Sequence, residues 1–467
     1  MLRLALVLSL LATAASAQPA LTVTPTTFEA RDGRTAEAEV GRFRVPENRS
    51  RPDGRTIELA FVRFPSTNPN PGPPIVYLAG GPGGSGSIAA SGTRFNLFQS
   101  LREVADVIAF DQRGTGLSDR LPDCPHTATF PYGVPTTRAA YDAAYADLAR
   151  RCEAHWRRLG VDLAAYTTEA SADDLDALRQ AIGADQISLW AISYGTHLAL
   201  STIRRHPEAV ARAVLAGVEG PDHTVKRPSD QQDLLVEIDR ITRESNPEST
   251  FLADAEAVLD RLRADPVTTE VERGGEAVTV GISAFDVQLM AAGMLGSPEW
   301  SMQLPAMVAA MRAGDFASTA QTLLWFKGEA RLGNAMSVAM DAASGASLVR
   351  SAEIDREARE TLLGDAIAAS ERATFGVWST PGLGPAFRAP IVSDVPTLFI
   401  SGTLDGRTPV RNADEVRQGF SRHAHLVIDG AGHSDPLFLG SPLILDRMRT
   451  FFSGSDLDHE TIPMAEG

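Results

Sequence analysis

Short apolar runs alternate with helical spacings through the first half of this chain, and that alternation predicts its architecture. Residues 73–80, PPIVYLAG, are almost wholly apolar and end in glycines, the signal of a strand buried on both faces. Residues 104–114, VADVIAFDQRG, repeat it. Leu175, Leu178 and Ile182 then share one face of a helix over 171–182. Ser171 is expected to cap that helix, with Asp174 at the third position inside and Gly183 ending it. QISLW reads as the next strand, followed by a turn and a helix closed by Pro207. ARAVLAG at 211–217 is another buried strand. Upstream, AEVGRFRVPENR and TIELAFVRFP predict an antiparallel pair around the turn SRPDGR. Residues 18–36 read as extended, polar and superficial. Strands alternating with helices predict an α/β fold with a largely parallel sheet.

The pattern changes at about residue 221. From there to about 390 most segments are helical, with EAVTV as one small strand. This stretch is too long for a loop, so it is expected to be an inserted cap. The α/β pattern resumes with VPTLFISG at 395–402, AHLVIDG at 424–430 and an amphipathic helix near 441–451, and the polar last dozen residues read as frayed. The expected organisation is therefore a core first part at 18–220, a helical cap at 221–390 and a core second part at 391–467. Residues 1–17 read as a signal peptide: Arg3, an apolar run from Leu4 to Ala14, then Ala15–Ser16–Ala17 before Gln18. That run is too short to span a bilayer, and no longer one follows. The expectation is a periplasmic or secreted protein without stable membrane insertion.

Composition narrows the partners. A formal net charge of -16 over 467 residues argues against a nucleic-acid groove, which needs clustered Lys and Arg. Excess surface acid serves solubility and does not by itself call for a cationic ligand. In an oxidising compartment the two cysteines, Cys124 and Cys152, read most simply as a disulfide. No pattern sets an oligomeric state.

The chemistry concentrates in a few strings. In SLWAISYGTHLAL a strand ends near Trp190 and a helix begins just after Ser193. This is a G-x-S-x-G-like elbow with Ala191 in place of the first glycine and Gly195 as the second. A serine hydroxyl needs a base, and His433 in DGAGHSDP is the candidate. Asp405, at the end of the preceding strand, is the candidate orienting acid, ranked above Asp414 on the following helix. The glycine-rich string YLAGGPGGSG at 77–86 lacks the lysine of a phosphate loop, and its backbone amides suit an oxyanion. The expected donors are the amides of Gly81, with Gly80 as the alternative, and Tyr194. Asp111 and Arg113 in FDQRGTGLSD are expected to form a structural ion pair near that loop.

Together these strings resemble the α/β-hydrolase proline iminopeptidase and tripeptidyl-aminopeptidase group, the S33 serine peptidases. The family loop H-G-G-P-G stands here as Ala79–Gly80–Gly81–Pro82–Gly83, with alanine for histidine, and D-x-R-G-x-G-x-S matches Asp111 to Ser118. YTTEASADDLDALRQAIG and the two-cysteine segment are similar to the exported branch of that group. The resemblance implies an α/β-hydrolase fold, a mostly parallel central sheet flanked by helices, with an inserted mainly helical cap. It implies a peptide substrate with a free N-terminus, cleaved by Ser193, Asp405 and His433 with no metal or organic cofactor. It further implies carboxylates near the cap that hold the substrate ammonium. Glu219 is the first candidate and Asp222 the alternate, with a second partner somewhere in the cap. Trp325 or Phe326 could wall an apolar pocket, although aromatic residues at helical spacing are more often core. The expected function is a secreted serine aminopeptidase; a carboxylesterase or lactonase on the same triad is the alternative.

Overall fold

The computed structural model describes residues 20–465, so the leader expected at 1–17 lies outside the described residues. Ten strands form one sheet: β1 Thr22–Glu29, β2 Thr35–Pro46, β3 Thr56–Phe64, β4 Ile75–Leu78, β5 Val107–Asp111, β6 Ile187–Ile192, β7 Val210–Ala216, β8 Thr397–Gly402, β9 His423–Asp429 and β10 Glu460–Pro463. Their spatial order is β1-β2-β3-β5-β4-β6-β7-β8-β9-β10. The pairings β1–β2, β2–β3 and β3–β5 are antiparallel, and all those from β5 to β10 are parallel. Every residue of β4, β5, β6 and β8 is buried. Parallel strands covered on both faces read as unbroken apolar runs, which is why these four stood out in the sequence. Consecutive side chains still point to opposite faces. Leu78, Leu189 and Leu215 pack into one core with Phe43 and Phe399, whereas Tyr77, Trp190 and Val214 pack into the other with Phe98 and Phe451.

Between β7 and β8 the chain forms the inserted, mainly helical cap, with its own core around Ile238, Phe251, Met290 and Met311. One hairpin interrupts the helices, Val267–Arg273 pairing with Glu276–Ile282. Only its second strand was expected. Its turn is Gly274–Gly275, both at positive φ, the conformation a two-residue hairpin requires. Lys327 anchors the cap. Its buried ammonium donates to Val134 O, Gly281 O and Thr136 Oγ1 and pairs with Asp286 at 2.9 Å.

Two local expectations are corrected. The helix expected to start at Ser171 runs over Thr168–Ala181, and Thr167 caps it by accepting from Ala170 N. Asp174 does not serve a cap because Arg113 holds it in a buried ion pair at 2.7 Å. The C-terminal tail is not frayed throughout: β10 adds to the edge of β9 and is anchored by fully buried Ile462.

Cys124 and Cys152 form a disulfide, with Cα atoms 5.3 Å apart and 28 residues of sequence separation. It ties the segment after β5 to the helix Arg138–Arg158. Closing a loop of that length stabilises by about 2–4 kcal/mol, chiefly by restricting the unfolded chain. Reduction is therefore expected to lower Tm by roughly 5 °C in a calorimetric scan. Two titratable thiols in the untreated, denatured protein would contradict the bond. The disulfide is consistent with an extracytoplasmic location. No helix among the described residues is long and apolar enough to cross a membrane.

Candidate active site

β6 delivers Ser193 into a sharp turn before the helix Tyr194–Arg205. Its backbone sits at φ 56° and ψ -128°, a conformation that costs a non-glycine residue about 1–3 kcal/mol. Neighbouring bonds hold it there: Ser193 N donates to Ala216 O at 3.0 Å, and Thr196 N to Ser193 O at 2.8 Å. Gly195 is needed because a Cβ there would lie 2.2 Å from Leu78 O. Ala191, in place of the usual glycine, is fully buried in the sheet without disturbing the turn.

The carboxyl ends of the parallel strands bring the two expected partners to Ser193, as in other open α/β sheets. Asp405 lies just beyond β8 and His433 just beyond β9. His433 Nε2 is 3.1 Å from Ser193 Oγ, and its Nδ1 is 2.9 Å from Asp405 Oδ2. The remaining valences of Asp405 are filled as well. Its Oδ1 accepts from the amides of Arg407 and Thr408, each at 2.8 Å, and its Oδ2 from Thr408 Oγ1 at 2.7 Å. Burial pushes the Asp405 carboxyl up, but the His433 charge and these hydrogen bonds outweigh it and hold the group below its ordinary value. Asp405 therefore stays ionised beside the imidazole. Thr408 was not expected; the string DGRTP carried no signal for it. Asp414 faces Arg417 at 2.9 Å on the helix Val410–Arg417, away from Ser193.

The glycine loop passes directly over the serine. A Cβ on Gly80 would fall 2.9 Å from Ser193 Cβ, so only glycine allows this approach. Gly81, at φ 123°, lines the cavity beside Ser193. The amides of Gly81 and Tyr194 take no part in the turn and cap hydrogen bonds around them. Asp111 steadies the loop from below, accepting from Ser85 Oγ and Ser87 Oγ at 2.6 Å and from Leu117 N at 2.9 Å. The expected Asp111–Arg113 ion pair does not form. Arg113 turns instead to Asp174 and to the carbonyls of Glu47 and Ala165.

Ser193 and His433 open into a cavity of about 500 Å³ between core and cap. Five charged side chains line it: Glu219, Lys226, Asp341, Glu371 and Arg407. Glu219 is buried and paired with Lys226 at 2.5 Å. Burial raises its carboxyl, but the ammonium of Lys226, with His197 beside it, brings it below the ordinary value. Asp341 is in the opposite condition. Its carboxyl has no hydrogen-bond partner among the described residues, and burial, then Glu219 and Glu371 nearby, push it well above the ordinary value. Asp222 is not part of this cavity; its Oδ1 accepts from Ser347 N at 2.7 Å at the start of the helix Leu348–Glu360. Trp325 and Phe326 do not reach it either, and Trp325 is 81% exposed on the outer cap. Asp341 and Glu371 went unnoticed in the sequence, although Asp341 is the lone acid in the otherwise uncharged helix AMSVAMDAAS. A larger hollow of about 580 Å³ lies at the opposite end of the sheet, around Gln186, Val210 and Pro396, away from Ser193 and His433.

The chain belongs to the α/β hydrolase fold family, whose pattern matches residues 73–438. Within that fold family it has homology to S33-type serine peptidases. It is similar to serine protease Hip1 of Mycobacterium tuberculosis, 32% identical over 195 residues, 39% of this chain and 36% of that protein. It is also similar to the tripeptidyl aminopeptidase of Streptomyces coelicolor, 31% identical over 192 residues, 39% of this chain and 35% of that protein. The chain thus spans about a third of the length of the curated relatives it matches. Among solved structures, a Thermogutta terrifontis esterase aligns over 88% of this chain and 97% of its own, with 17% identity and a TM-score of 0.38.

Proposed function

We propose that this protein is an exported serine aminopeptidase, periplasmic or secreted, that cleaves peptides from a free N-terminus through an acyl-enzyme. Ser193 Oγ attacks the carbonyl while His433 Nε2 takes its proton, and Asp405 holds the imidazole and offsets its charge. The oxyanion lies between the amides of Tyr194 and Gly81, with Gly80 as the alternative donor. His433 then protonates the departing amine, and water repeats the cycle on the ester.

The observation that carries the peptidase reading is the acidic wall of the cavity. Asp341 and Glu371 line the space that Ser193 lines, and among the described residues neither is paired with a cation. A half-buried carboxyl without a charge partner is costly, and an ammonium ion arriving beside it supplies the missing charge. Glu219 was the first candidate for this anchor. Since Lys226 already occupies it, the direct contact passes to Asp341 and Glu371, and Glu219 adds field to the cluster.

Ester or lactone hydrolysis is the second reading, and the comparisons support it at least as well. The triad and the oxyanion loop serve both reactions, the peptidase relatives are matched over 39% of this chain, and Ala79 stands where the peptidase loop has histidine. A panel of Ala-, Pro- and tripeptidyl-anilides, their N-acetyl forms and short-chain esters separates the two. Asp341→Asn is expected to raise KM for the free-amine anilides by about 10–100-fold and to spare the N-acetyl forms, with a smaller effect from Glu219→Gln. Turnover of esters alone, or equal effects on free and blocked substrates, would leave the esterase reading in place.

A further inference from the structure

The charges around the cavity are not evenly placed. Asp341 and Glu371 sit on the wall formed with Gly81, because the adjoining hollow shares all three residues. Arg407 sits on the other wall, with His433. A Cβ on Gly296 would lie 3.3 Å from Arg407 Nε, so the arginine stem lies along Gly296. The carbonyl of that same glycine accepts from His433 N at 3.2 Å. The Arg407 amide is itself bonded to Asp405 at 2.8 Å, which seats the residue immediately beside the triad.

The guanidinium of Arg407 has no ion-pair or hydrogen-bond partner among the described residues. That is unexpected in a chain with 59 acidic residues and 43 Lys and Arg. Lys226, the other cation lining the cavity, is already held by Glu219. Arg407 therefore has donors to spare beside the nucleophile. An arginine fork is suited to a planar carboxylate.

Reaction geometry says which part of a substrate would meet it. His433 must hand its proton to the departing group, so the departing group lies against the His433 wall. The acyl portion then lies toward the oxyanion loop and its acidic wall. We infer that Arg407 is a specificity residue that binds a carboxylate in the leaving portion of the substrate, close to the scissile bond. That carboxylate is either the C-terminus of a short leaving peptide or an acidic side chain on its first residue. The inference deepens the acyl-transfer reading above and rests on it. In this arrangement the cavity is bipolar: it reads positive charge on the acyl side and negative charge on the leaving side.

The test uses leaving groups that differ only by a carboxylate. Each acyl group is supplied as the 4-nitroanilide and the 3-carboxy-4-nitroanilide, and as the 4-nitrophenyl and 3-carboxy-4-nitrophenyl esters. The full chain is expected to favour the carboxylated member of each pair by about fivefold in kcat/KM, and added salt should erode that preference. Arg407→Gln should collapse the ratio to about one, and Arg407→Lys should restore part of it. Both variants alter an exposed side chain, so folding is not at stake. A ratio near one in the wild type, or one unmoved by Arg407→Gln, overturns the inference. The ester pair keeps it independent of the peptidase reading: esters cleaved with the preference and anilides not cleaved would reject the peptidase and retain Arg407. Dipeptides compared with their C-terminal amides, and with Asp at the first leaving position, tell the two carboxylate sources apart.

Discussion

Replacing Ser193 by alanine is expected to lower kcat by about 10⁶ while leaving the fold intact. The size follows from what the hydroxyl does. In the proposed mechanism it is the atom that bonds to the substrate, and His433 and the oxyanion amides act only through that bond. The intact fold follows from what the hydroxyl does not do: its one hydrogen bond among the described residues is to His433 at 3.1 Å. The elbow is held by backbone bonds to Ala216 and Thr196, and alanine keeps both. The check is twofold. A burst of nitrophenol from an activated ester should vanish, and far-UV circular dichroism and Tm should match the wild type. Residual turnover within about a hundredfold of wild type would remove Ser193 from the nucleophile's role.

Asp405→Asn should cost about 10⁴ in kcat/KM, again without unfolding. Asparagine Oδ1 can still accept from the amides of Arg407 and Thr408. The amide nitrogen, however, replaces the oxygen that faces His433 Nδ1 at 2.9 Å. Two donors cannot face each other, so the imidazole takes the tautomer with its proton on Nε2. That nitrogen then points a proton at Ser193 Oγ instead of a lone pair, and the base is lost. Stabilisation of the imidazolium is lost with it, since the buried carboxylate next to it is gone. Kinetics on the preferred anilide or ester, with a thermal melt as control, measure the effect. A loss below tenfold would mean that another group orients His433.

That Ser193, Asp405 and His433 belong together was legible because each sits at a local signal. Ser193, Asp405 and His433 each follow the end of an apolar strand, and the order Ser–Asp–His matched the fold that the alternation implied. The glycine density at 77–86 was equally local: Gly80 must be glycine to clear Ser193. The charged lining was not legible in this way. Arg113 looked like a partner for Asp111 because only Gln112 separates them, yet the buried guanidinium reaches Asp174 on a distant helix. Asp222 looked like an alternate to Glu219, three positions away, but the backbone turns it toward Ser347. Short-range spacing carries no information on which way a loop side chain faces. The strand β10 escaped notice for a related reason: its polar residues gain a strand conformation from the open edge of β9 and from one buried isoleucine.

By itself, then, the sequence determined the α/β architecture, the inserted cap, the disulfide partners and the elbow that presents Ser193. These follow from periodicity, from turn chemistry and from there being two cysteines. Tertiary structure alone decided that Lys226 neutralises Glu219, that Asp341 and Glu371 share the cavity with Ser193, and that Arg407 beside His433 has no partner among the described residues. Those outcomes depend on which side chains meet when the cap folds over the sheet, and long-range packing of that kind leaves no periodic trace in the chain.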